Sequence, residues 1–291
     1  MRGRRVVAVT GASGFIGRHV VAALAGEAVE VVAVTRNAAR LPRAAESVRV
    51  VELDLGEPGA DAFERLGRPD VLVHLAWDGL PNYRSLHHFE TELPRQYAFL
   101  KSLVRGGLES MVVAGTCFEY GLQAGGLSEE TSPQPVTPYG LAKDALRRQL
   151  EFLRADAPFA LTWARLFYTY GDGQPATSLL PLLRAAVERG DRSFDMSGGE
   201  QLRDYLPVGE ISRLIAALAL KHPDSGAVNV CSGTPVSIRR LVEKWIAENG
   251  WDLELNLGRY PYPDYEPLAF WGDPRKLHRL TGVAPGQGNT A

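Results

Sequence analysis

The sequence predicts an α/β protein in which helices cover both faces of a parallel sheet. Short apolar runs rich in valine alternate along the chain with segments of helical periodicity. The runs are continuously apolar and do not alternate with polar residues, which indicates strands buried on both faces. The first run also ends in a glycine-rich turn that opens a helical segment. Together these features favour a doubly wound parallel sheet of the Rossmann type.

Strand and helix patterns alternate along most of the chain. The predicted strands are Val6–Thr10, Val29–Thr35, Val48–Leu53, Val71–Ala76, Ser110–Ala114, Leu161–Leu166 and Ala227–Cys231. The predicted helices are Phe15–Gly26, Phe89–Val104, Tyr139–Arg154, Leu179–Arg189, Val208–Leu220 and Ile238–Asn249. We expect residues 1–171 to form the sheet domain, with 205–233 returning to it. Residues 172–291 are expected to form a smaller C-terminal lobe.

Composition excludes several classes of protein. The apolar fraction of 45% is enough for a packed core, and the formal charge of −2 gives no bulk attraction to nucleic acid or anionic lipid. The longest fully apolar run, Leu214–Leu220, is far too short to span a membrane. Cys117 and Cys231 are too few for a disulfide framework or a structural zinc site, and we expect no metal. The basic N-terminus leads directly into the first strand without a signal peptide, so we expect a cytoplasmic protein.

The segment Thr10–Gly17, Thr-Gly-Ala-Ser-Gly-Phe-Ile-Gly, closes the first strand and opens the first helix. In such a segment the first glycine permits a tight turn, the second lets the backbone approach a pyrophosphate, and the third lets helix and strand pack closely. The N–H groups at the helix N-terminus then bind the phosphates. The domain of residues 1–171 is therefore predicted to bind a dinucleotide. The residues expected to contact it here are Gly11, Ser13, Gly14, Phe15, Ile16 and Gly17.

The end of the second strand indicates which dinucleotide is bound. Folds that prefer NAD place an Asp or Glu about twenty residues after the glycines, on the ribose hydroxyls. This chain has Arg36 there, followed by Arg40, so a 2′-phosphate would meet guanidinium groups. We therefore predict that NADP is bound in preference to NAD. The alternative is that Arg36 and Arg40 are solvated loop residues in a chain with 27 Arg and only 5 Lys. Asp54 and Leu55, after the third strand, could lie near the adenine, or Asp54 could simply be a helix N-cap.

A second informative segment is Thr137–Lys143, Thr-Pro-Tyr-Gly-Leu-Ala-Lys. A threonine N-cap followed by a proline at the first helical position predicts a helix start. Tyr139 and Lys143 then lie one turn apart on the same helix face. Thr116 follows the fifth strand, at the carboxyl edge of the sheet where ligands bind in this fold. These three residues are the predicted catalytic set.

Further motifs follow the same order along the chain. They are His74-Leu75-Ala76, Gly115-Thr116, Tyr120-Gly121, Arg165, Tyr170-Gly171, Arg203-Asp204-Tyr205 and Asn229-Val230-Cys231-Ser232-Gly233. With the glycine turn and the Tyr139/Lys143 pair, they resemble the extended short-chain dehydrogenase/reductase family of nucleotide-sugar epimerases, dehydratases and ketoreductases. The resemblance runs from Val6 to about Pro285.

The resemblance implies how the catalytic set works. Tyr139 would donate or accept a proton at a substrate oxygen, and Thr116 would donate a hydrogen bond to the same oxygen. Lys143 would lower the Tyr139 pKa and hold the nicotinamide ribose. The backbone near Leu75 and Ala76 would line the cofactor, and the nicotinamide would carry the hydride.

The resemblance also implies substrate contacts and an assembly. Arg203 would bind the substrate diphosphate, unless it forms only a surface salt bridge, and Leu180 would lie at the nucleotide base. Trp77 could shape the sugar pocket or only pack. Tyr168 stands near the position where the family often has Asn, and it could supply a hydroxyl or only pack. A homodimer would form through the helices predicted at Phe89–Val104 and Tyr139–Arg154.

Departures from the family pattern discriminate between reactions. The 4,6-dehydratases place Asp and Glu directly after this threonine, whereas here Cys117 and Phe118 follow, and Glu119 should point away from the site. Epimerases retain NAD, whereas a net reductase exchanges its cofactor and usually takes NADP. We therefore predict an NADP-dependent reductase of a nucleotide-linked 4-keto-6-deoxyhexose. The alternatives are an NAD-dependent nucleotide-sugar C4 epimerase and a non-catalytic NADP-sensing or scaffold protein.

Overall fold

The computed structural model describes residues 4–41, 47–221 and 224–282. Its strands are β1 (Arg5–Thr10), β2 (Val29–Thr35), β3 (Val48–Glu52), β4 (Val71–His74), β5 (Ser110–Thr116), β6 (Gly125–Leu127), β7 (Ala160–Leu166), β8 (Tyr168–Tyr170), β9 (Ser193–Asp195), β10 (Leu202–Pro207), β11 (Gly226–Val230), β12 (Pro235–Ser237), β13 (Glu254–Asn256) and β14 (Phe270–Gly272). Its helices are α1 (Phe15–Ala25), α2 (Ala62–Arg65), α3 (Leu93–Gly106), α4 (Pro138–Asp156), α5 (Leu179–Glu188), α6 (Val208–Lys221), α7 (Ile238–Asn249) and α8 (Arg275–Thr281). Two 3₁₀ turns, Ala38–Arg40 and Cys117–Tyr120, and a π-helical turn, His88–Glu92, lie between them.

Seven strands form one parallel sheet in the order β11-β7-β5-β4-β1-β2-β3. The predicted fold class is therefore confirmed. The strand order reverses between β1 and β4, which is the place where such sheets bind ligands. Thr10 pairs with His74 on one side and with Val34 on the other, so the ends of three strands meet at one edge. Thr116 pairs with Leu166 and brings β5 to the same edge.

One predicted helix differs from the structure at its start. The pattern predicts a helix from Phe89, but α3 begins at Leu93 and is preceded by the π-helical turn His88–Glu92. Pro94 has no N–H to donate to the carbonyl four residues earlier, and its ring crowds that carbonyl, so a regular α-helix does not run through this point. The turn places His88 and Glu92 in the interior.

Helices bury the two faces of the sheet. On one face α1 and α6 pack against strand residues such as Val7 and Val9. On the other face α3 and α4 pack against residues such as Leu72 and Trp163. All four residues of β4 and all seven of β5 are buried, as their continuous apolar pattern predicts. The sheet edge that carries the glycine turn is thus rigidly supported from both sides.

The C-terminal part has a smaller core of its own. Leu183 of α5 and Val242 of α7 are fully buried there, beside Trp245. A three-stranded sheet, β12-β10-β8, lies alongside, while β11 forms the edge of the large sheet next to β7. The division into residues 1–171, 205–233 and 172–291 stays a prediction. Residues 1–3 at the start of the first segment and 283–291 at the end of the last lie outside the described residues.

The two helices expected in a dimer interface bury apolar residues within their own chain. The residues in the sheet core are Leu100, Val104, Leu146, Leu150 and Leu153, with Tyr97 packed against them. On α4, Phe152 remains 79% exposed. The homodimer therefore stays a prediction. Across the described ranges, no helix combines the length and apolarity needed to cross a bilayer.

Candidate active site

The glycine turn has the geometry that a dinucleotide requires. Gly11 has a φ of +69°, and a Cβ atom there would lie 2.8 Å from the backbone nitrogen of Ala76. A Cβ atom on Gly17 would lie 2.0 Å from the Gly11 carbonyl oxygen, so only glycine lets α1 approach β1 this closely. Gly14 is the N-cap of α1, has no side-chain cap, and precedes a first turn without acidic residues. The first N–H groups of α1 therefore suit an anionic ligand, and the turn fits the pyrophosphate of a dinucleotide.

A cavity of about 590 Å³ opens beside this turn. The predicted cofactor residues that line it are Gly11, Ser13, Gly14, Arg36, Arg40, Leu55, Leu75 and Ala76. The Ser13 and Thr35 hydroxyls are 2.8 Å apart, which ties the turn to the end of β2. Arg18, which sequence reasoning did not single out, lines the same cavity and donates to the carbonyls of Ser13 and Gly14 at 3.0 and 3.2 Å. It adds a positive charge beside the phosphate turn.

Arg36 lies at the wall of this cavity with a carboxylate partner. Its Nη1 donates to Asp78 at 3.1 Å, and the two side chains are 58% and 50% exposed. Exposed ion pairs of this kind contribute only about 0–1 kcal/mol. The guanidinium of Arg36 can therefore leave Asp78 for a phosphate at little cost.

Asp54 closes a turn after β3 and is not a helix N-cap. Its carboxylate accepts the Gly56 N–H at 2.8 Å and pairs with Arg95, which closes a tight turn after β3. Its neighbours Leu53 and Leu55 line the cavity, whereas Asp54 is not among the lining residues. The helix N-cap expectation is wrong, because α2 begins only at Ala62. Asp54 is thus an Asx-turn residue beside the cavity, and its contact with the cofactor adenine stays a prediction.

Thr116, Tyr139 and Lys143 lie together on the wall of a second cavity of about 470 Å³. Thr137 caps α4 by accepting the Gly140 N–H at 3.1 Å, which places Tyr139 in the first turn, opposite the end of β5. The Thr116 hydroxyl lies on the same wall and acts to lower the pKa of Tyr139. Burial raises the pKa of Tyr139 well above its ordinary value, so burial and not the charge of Lys143 dominates this pKa. The phenol is protonated at neutral pH.

Lys143 is only 2% exposed. Its Nζ donates to the Ala114 carbonyl at 2.8 Å and lies 3.9 Å from the centre of the Trp77 ring. Burial lowers the Lys143 pKa to about 7, against the opposing charges of Glu119 and Glu92. The ammonium group is therefore poised near its titration point at physiological pH.

Glu119 holds the segment that carries Thr116. It is fully buried and accepts the Thr116 N–H at 2.9 Å, while Thr116 accepts the Phe118 N–H at 3.3 Å in a capping box. Its carboxylate also accepts from Trp163 Nε1 at 2.8 Å and from Arg165 Nε at 2.7 Å. The carboxylate points into the core behind β5 and does not line the second cavity, but the premise of an extended segment is wrong, because Cys117–Tyr120 forms a 3₁₀ turn.

The two cavities meet at shared residues, namely Gly11, Gly14, Leu75 and Trp77. Phe15, Ile16 and Gly17 line the second cavity together with the catalytic set. Its far wall contains Tyr168 and Leu180, which the sequence assigned to substrate contacts, and Trp245 from α7. A ligand that spans both cavities would place one end at Arg36 and the other at Tyr139.

Arg203 lies behind the far wall and is fully buried. Its Nε and Nη2 donate to one oxygen of Glu266 at 3.2 and 2.8 Å, and its Nη1 donates to the carbonyls of Leu202 and Leu268. It does not line either cavity. The surface salt bridge considered for Arg203 is wrong, since the pair is buried. A diphosphate contact stays a prediction, and it requires Arg203 to exchange Glu266 for phosphate.

Sequence reasoning missed several residues that shape the site. Glu119 had a usable signal, because Thr-x-x-Glu is the spacing of a capping box. Arg18 also had one, because it directly follows the glycine turn whose carbonyls it binds. His88, Glu92 and Glu266 had none, since Glu266 is distant in sequence from Arg203 and the other two lie in an irregular turn. Within the described part of the chain, no group of three or more His, Cys, Asp or Glu side chains is arranged to hold a metal ion.

Comparison with known proteins identifies the family. A family model described as the NAD dependent epimerase/dehydratase family matches residues 7–231. The chain is 31% identical to a dTDP-6-deoxy-L-talose 4-dehydrogenase (NAD(+)) of Aggregatibacter actinomycetemcomitans, over 91% of this chain and 98% of the relative. It is 27% identical to a dTDP-6-deoxy-L-talose 4-dehydrogenase (NAD(P)(+)) of Kitasatospora kifunensis, over 89% and 83%.

A solved structure shows the same architecture. MoeE5 in complex with UDP-glucose and NAD is 30% identical, superposes with a TM-score of 0.80, and is matched over 97% of this chain and 94% of that one. The resemblance stated from the motifs is confirmed by both comparisons. The chain belongs to the NAD dependent epimerase/dehydratase family, within the extended short-chain dehydrogenase/reductase group of NAD(P)-dependent oxidoreductases.

Proposed function

We propose that the protein is an NADP-dependent 4-ketoreductase of a nucleotide-linked 4-keto-6-deoxyhexose. The observation that carries this proposal is the position of Thr116, Tyr139 and Lys143 on the wall of the second cavity, with Lys143 against Trp77, which also lines the cavity beside the glycine turn. A cofactor bound along the glycine turn would bring its nicotinamide to this wall. The second cavity then remains for the sugar nucleotide.

The protonation state of Tyr139 in the second cavity suits the reduction of a keto group. A buried, protonated Tyr139 can donate its proton to the oxygen of a keto group as the carbonyl becomes an alcohol. Thr116, held by Glu119, hydrogen-bonds at the same place and orients that oxygen. Bound nicotinamide supplies the hydride, and Lys143 would hold its ribose.

The residues after Thr116 do not support elimination chemistry. Cys117 and Phe118 occupy the positions where the dehydratases have acidic residues, and burial raises the pKa of the Cys117 thiol, so it stays protonated. The lining residues of the second cavity include no Asp or Glu among the described residues. Redox chemistry at a carbonyl requires neither group. The names of the two talose 4-dehydrogenase relatives support the same reaction class, at C4 of a dTDP-linked 6-deoxyhexose.

The cofactor proposal depends on the first cavity, which lies beside the glycine turn. Arg36 and Arg40 line it, and the end of β2 has no carboxylate to repel a 2′-phosphate. Asp78 is the competing group, because it pairs with Arg36. We expect NADPH to be preferred by displacing Asp78, with NADH used less efficiently, as an NAD(P)(+) relative suggests.

The test is to incubate the purified protein with dTDP-4-keto-6-deoxyhexose and either NADPH or NADH, and to follow the loss of reduced nicotinamide absorbance. Tyr139→Phe should lower kcat by about a hundredfold or more. Arg36→Ala should raise the KM for NADPH by about tenfold and leave that for NADH unchanged, with Arg184→Ala as the exposed-arginine control. Arg184 pairs with Asp172 and is absent from the cavity lining.

Three results contradict the proposal. One is the absence of nicotinamide oxidation with any nucleotide-linked keto-sugar, together with NAD binding that does not depend on Arg36. The second is C4 epimerisation without added nicotinamide by protein that co-purifies with NAD, which indicates the epimerase. The third is full biological activity of Tyr139→Phe, which indicates a non-catalytic role. Light scattering of the same preparation tests the proposed homodimer.

A further inference from the structure

We propose that Trp77 and His88 are positioning residues that hold the Lys143 ammonium group over an indole face. This inference rests on the proposed function for the catalytic role of Lys143. Lys143 Nζ lies 3.9 Å from the centre of the Trp77 ring, closer than the other lysine–aromatic contacts of the described residues. The indole face attracts the cation and replaces part of the hydration that burial removes.

His88 fixes the indole in this position. The Trp77 Nε1–H donates to His88 Nδ1 at 3.1 Å, and the two rings are stacked with centroids 6.3 Å apart. His88 Nε2 lies 2.8 Å from the Asn82 carbonyl oxygen. Because Nδ1 accepts from the indole, the proton of neutral His88 resides on Nε2 and is donated to Asn82. Burial lowers the pKa of His88, which keeps it in this neutral form.

The arrangement is built into the backbone. His88 is fully buried and begins the π-helical turn that precedes α3, and its ring centre lies 5.2 Å from that of Tyr139. Trp77 also contacts Tyr139 edge-on at 6.1 Å. Trp77 thus contacts both members of the Tyr139/Lys143 pair and lines both cavities, while His88 packs against Trp77 and Tyr139.

Other charged groups also act on Lys143, and their effect on its pKa must be distinguished from that of the Trp77 ring. Glu92 of the π-helical turn and Glu119 after β5 favour its charged form. His74 of β4 and His88 would each oppose it if protonated, and burial lowers the pKa of His74 to about 3. Because burial lowers the pKa of both imidazoles, Lys143 is the group among these three that is expected to titrate near neutral pH. His87, which pairs with Glu92 at 3.8 Å, completes the ionisable groups around it.

The experiment is a pH titration of the lysine ¹⁵Nζ signals by NMR. The chain has 5 Lys, so the Lys143 signal is assigned by its loss in Lys143→Arg. Trp77→Leu should lower the Lys143 midpoint by about 1 pH unit, because a desolvated cation–π contact is lost, whereas Trp77→Phe should lower it less. His88→Leu should lower it in part, and His88→Asn should restore it, because the Asn carbonyl can accept from the indole.

The control is the half-buried pair of Lys101 and Tyr97, whose Nζ-to-ring distance is 5.7 Å. Tyr97→Leu should leave the Lys143 midpoint unchanged. A Lys143 midpoint that stays in place or rises in Trp77→Leu overturns the proposal, as does an equal effect of His88→Leu and His88→Asn. Since this titration needs no substrate, inactivity of the wild-type protein would contradict the proposed function without affecting the inference. If the wild-type protein is active, the alkaline limb of the plot of kcat against pH should move to lower pH in Trp77→Leu.

Discussion

Replacing Glu119 by Gln should destabilise the protein far more than a Glu→Gln change at the surface. The buried carboxylate accepts from the Thr116 N–H, the Trp163 indole and Arg165 Nε, at 2.9, 2.8 and 2.7 Å. Glutamine retains one oxygen for the first two donors, but its NH₂ group then faces the Arg165 guanidinium. The variant therefore leaves a buried cation without its counter-ion.

The magnitude follows from the burial of both partners. The Arg165 and Glu119 side chains are 2% and 0% exposed. Removing one partner from such a pair typically costs about 3–5 kcal/mol, because the remaining charge stays desolvated. A domain is stabilised by about 5–15 kcal/mol in total, so the urea midpoint should fall by about 1 M or more.

Urea unfolding, followed by tryptophan fluorescence and far-ultraviolet circular dichroism, measures this loss. The control is Glu248→Gln, which breaks an exposed pair with Lys244 (side chains 55% and 59% exposed) and should cost less than about 0.5 kcal/mol. The double variant Glu119→Gln/Arg165→Met removes the stranded charge and should regain much of the stability. A Glu119→Gln loss below about 1 kcal/mol, or a double variant less stable than the single one, would refute this reasoning.

Three other changes test the site. Gly17→Ala should abolish tight NADPH binding and lower the free energy of unfolding by about 1–3 kcal/mol, because the added methyl meets backbone atoms. The control Gly209→Ala has open space around it and should be neutral or stabilising. Calorimetry measures the binding, and urea unfolding measures the stability. Lys143→Met should abolish turnover yet stabilise the protein at pH 7. The folded Lys143 pKa of about 7 lies below the ordinary lysine value of 10.5, so the unfolded chain binds more protons between these pH values. Wild-type stability should therefore rise through that window, and the advantage of the variant, on the order of 4 kcal/mol at pH 7 from this pKa difference, should vanish towards pH 10.5. A pH-independent difference in unfolding free energy contradicts this. Glu266→Gln should lower the KM for the sugar nucleotide by about three- to tenfold if the diphosphate displaces Glu266 from Arg203, and an unchanged KM would show that Arg203 stays out of the substrate site.

The parts of the site that sequence analysis predicted are those coded by short-range patterns. The glycine turn needs its residues within one strand–helix junction, and the Tyr139/Lys143 pair needs one helical turn. Their side-chain directions follow from helix geometry, so both could be placed before the structure was known. Glu119 belongs to the same class, since the capping-box spacing from Thr116 to Glu119 is a short-range signal, although it was not used.

The residues that could not be predicted depend on long-range contacts or irregular backbone. The partner of Trp77, His88, lies in a π-helical turn. No periodicity in the sequence indicates this turn, because a proline at position 94 interrupts the helix pattern. Glu266 lies 63 residues from Arg203 in the chain, within a Tyr/Pro-rich segment without any helical or strand period. Asp54 looked like a helix cap, but the next helix begins later and the carboxylate closes a turn instead.

The abundance of arginine shows what kind of information is missing from a sequence. With 27 Arg in the chain, Arg36 and Arg203 were equal candidates for phosphate contacts. The structure separates them by the exposure of their carboxylate partners. Arg36 and Asp78 are 58% and 50% exposed, so exchanging the carboxylate for a phosphate changes little in solvation. Arg203 and Glu266 are 1% and 11% exposed, so the same exchange must either move Glu266 into water or leave it buried and unpaired. A free phosphate should therefore compete readily at Arg36, whereas Arg203 should respond only to a ligand whose other contacts can drive Glu266 out.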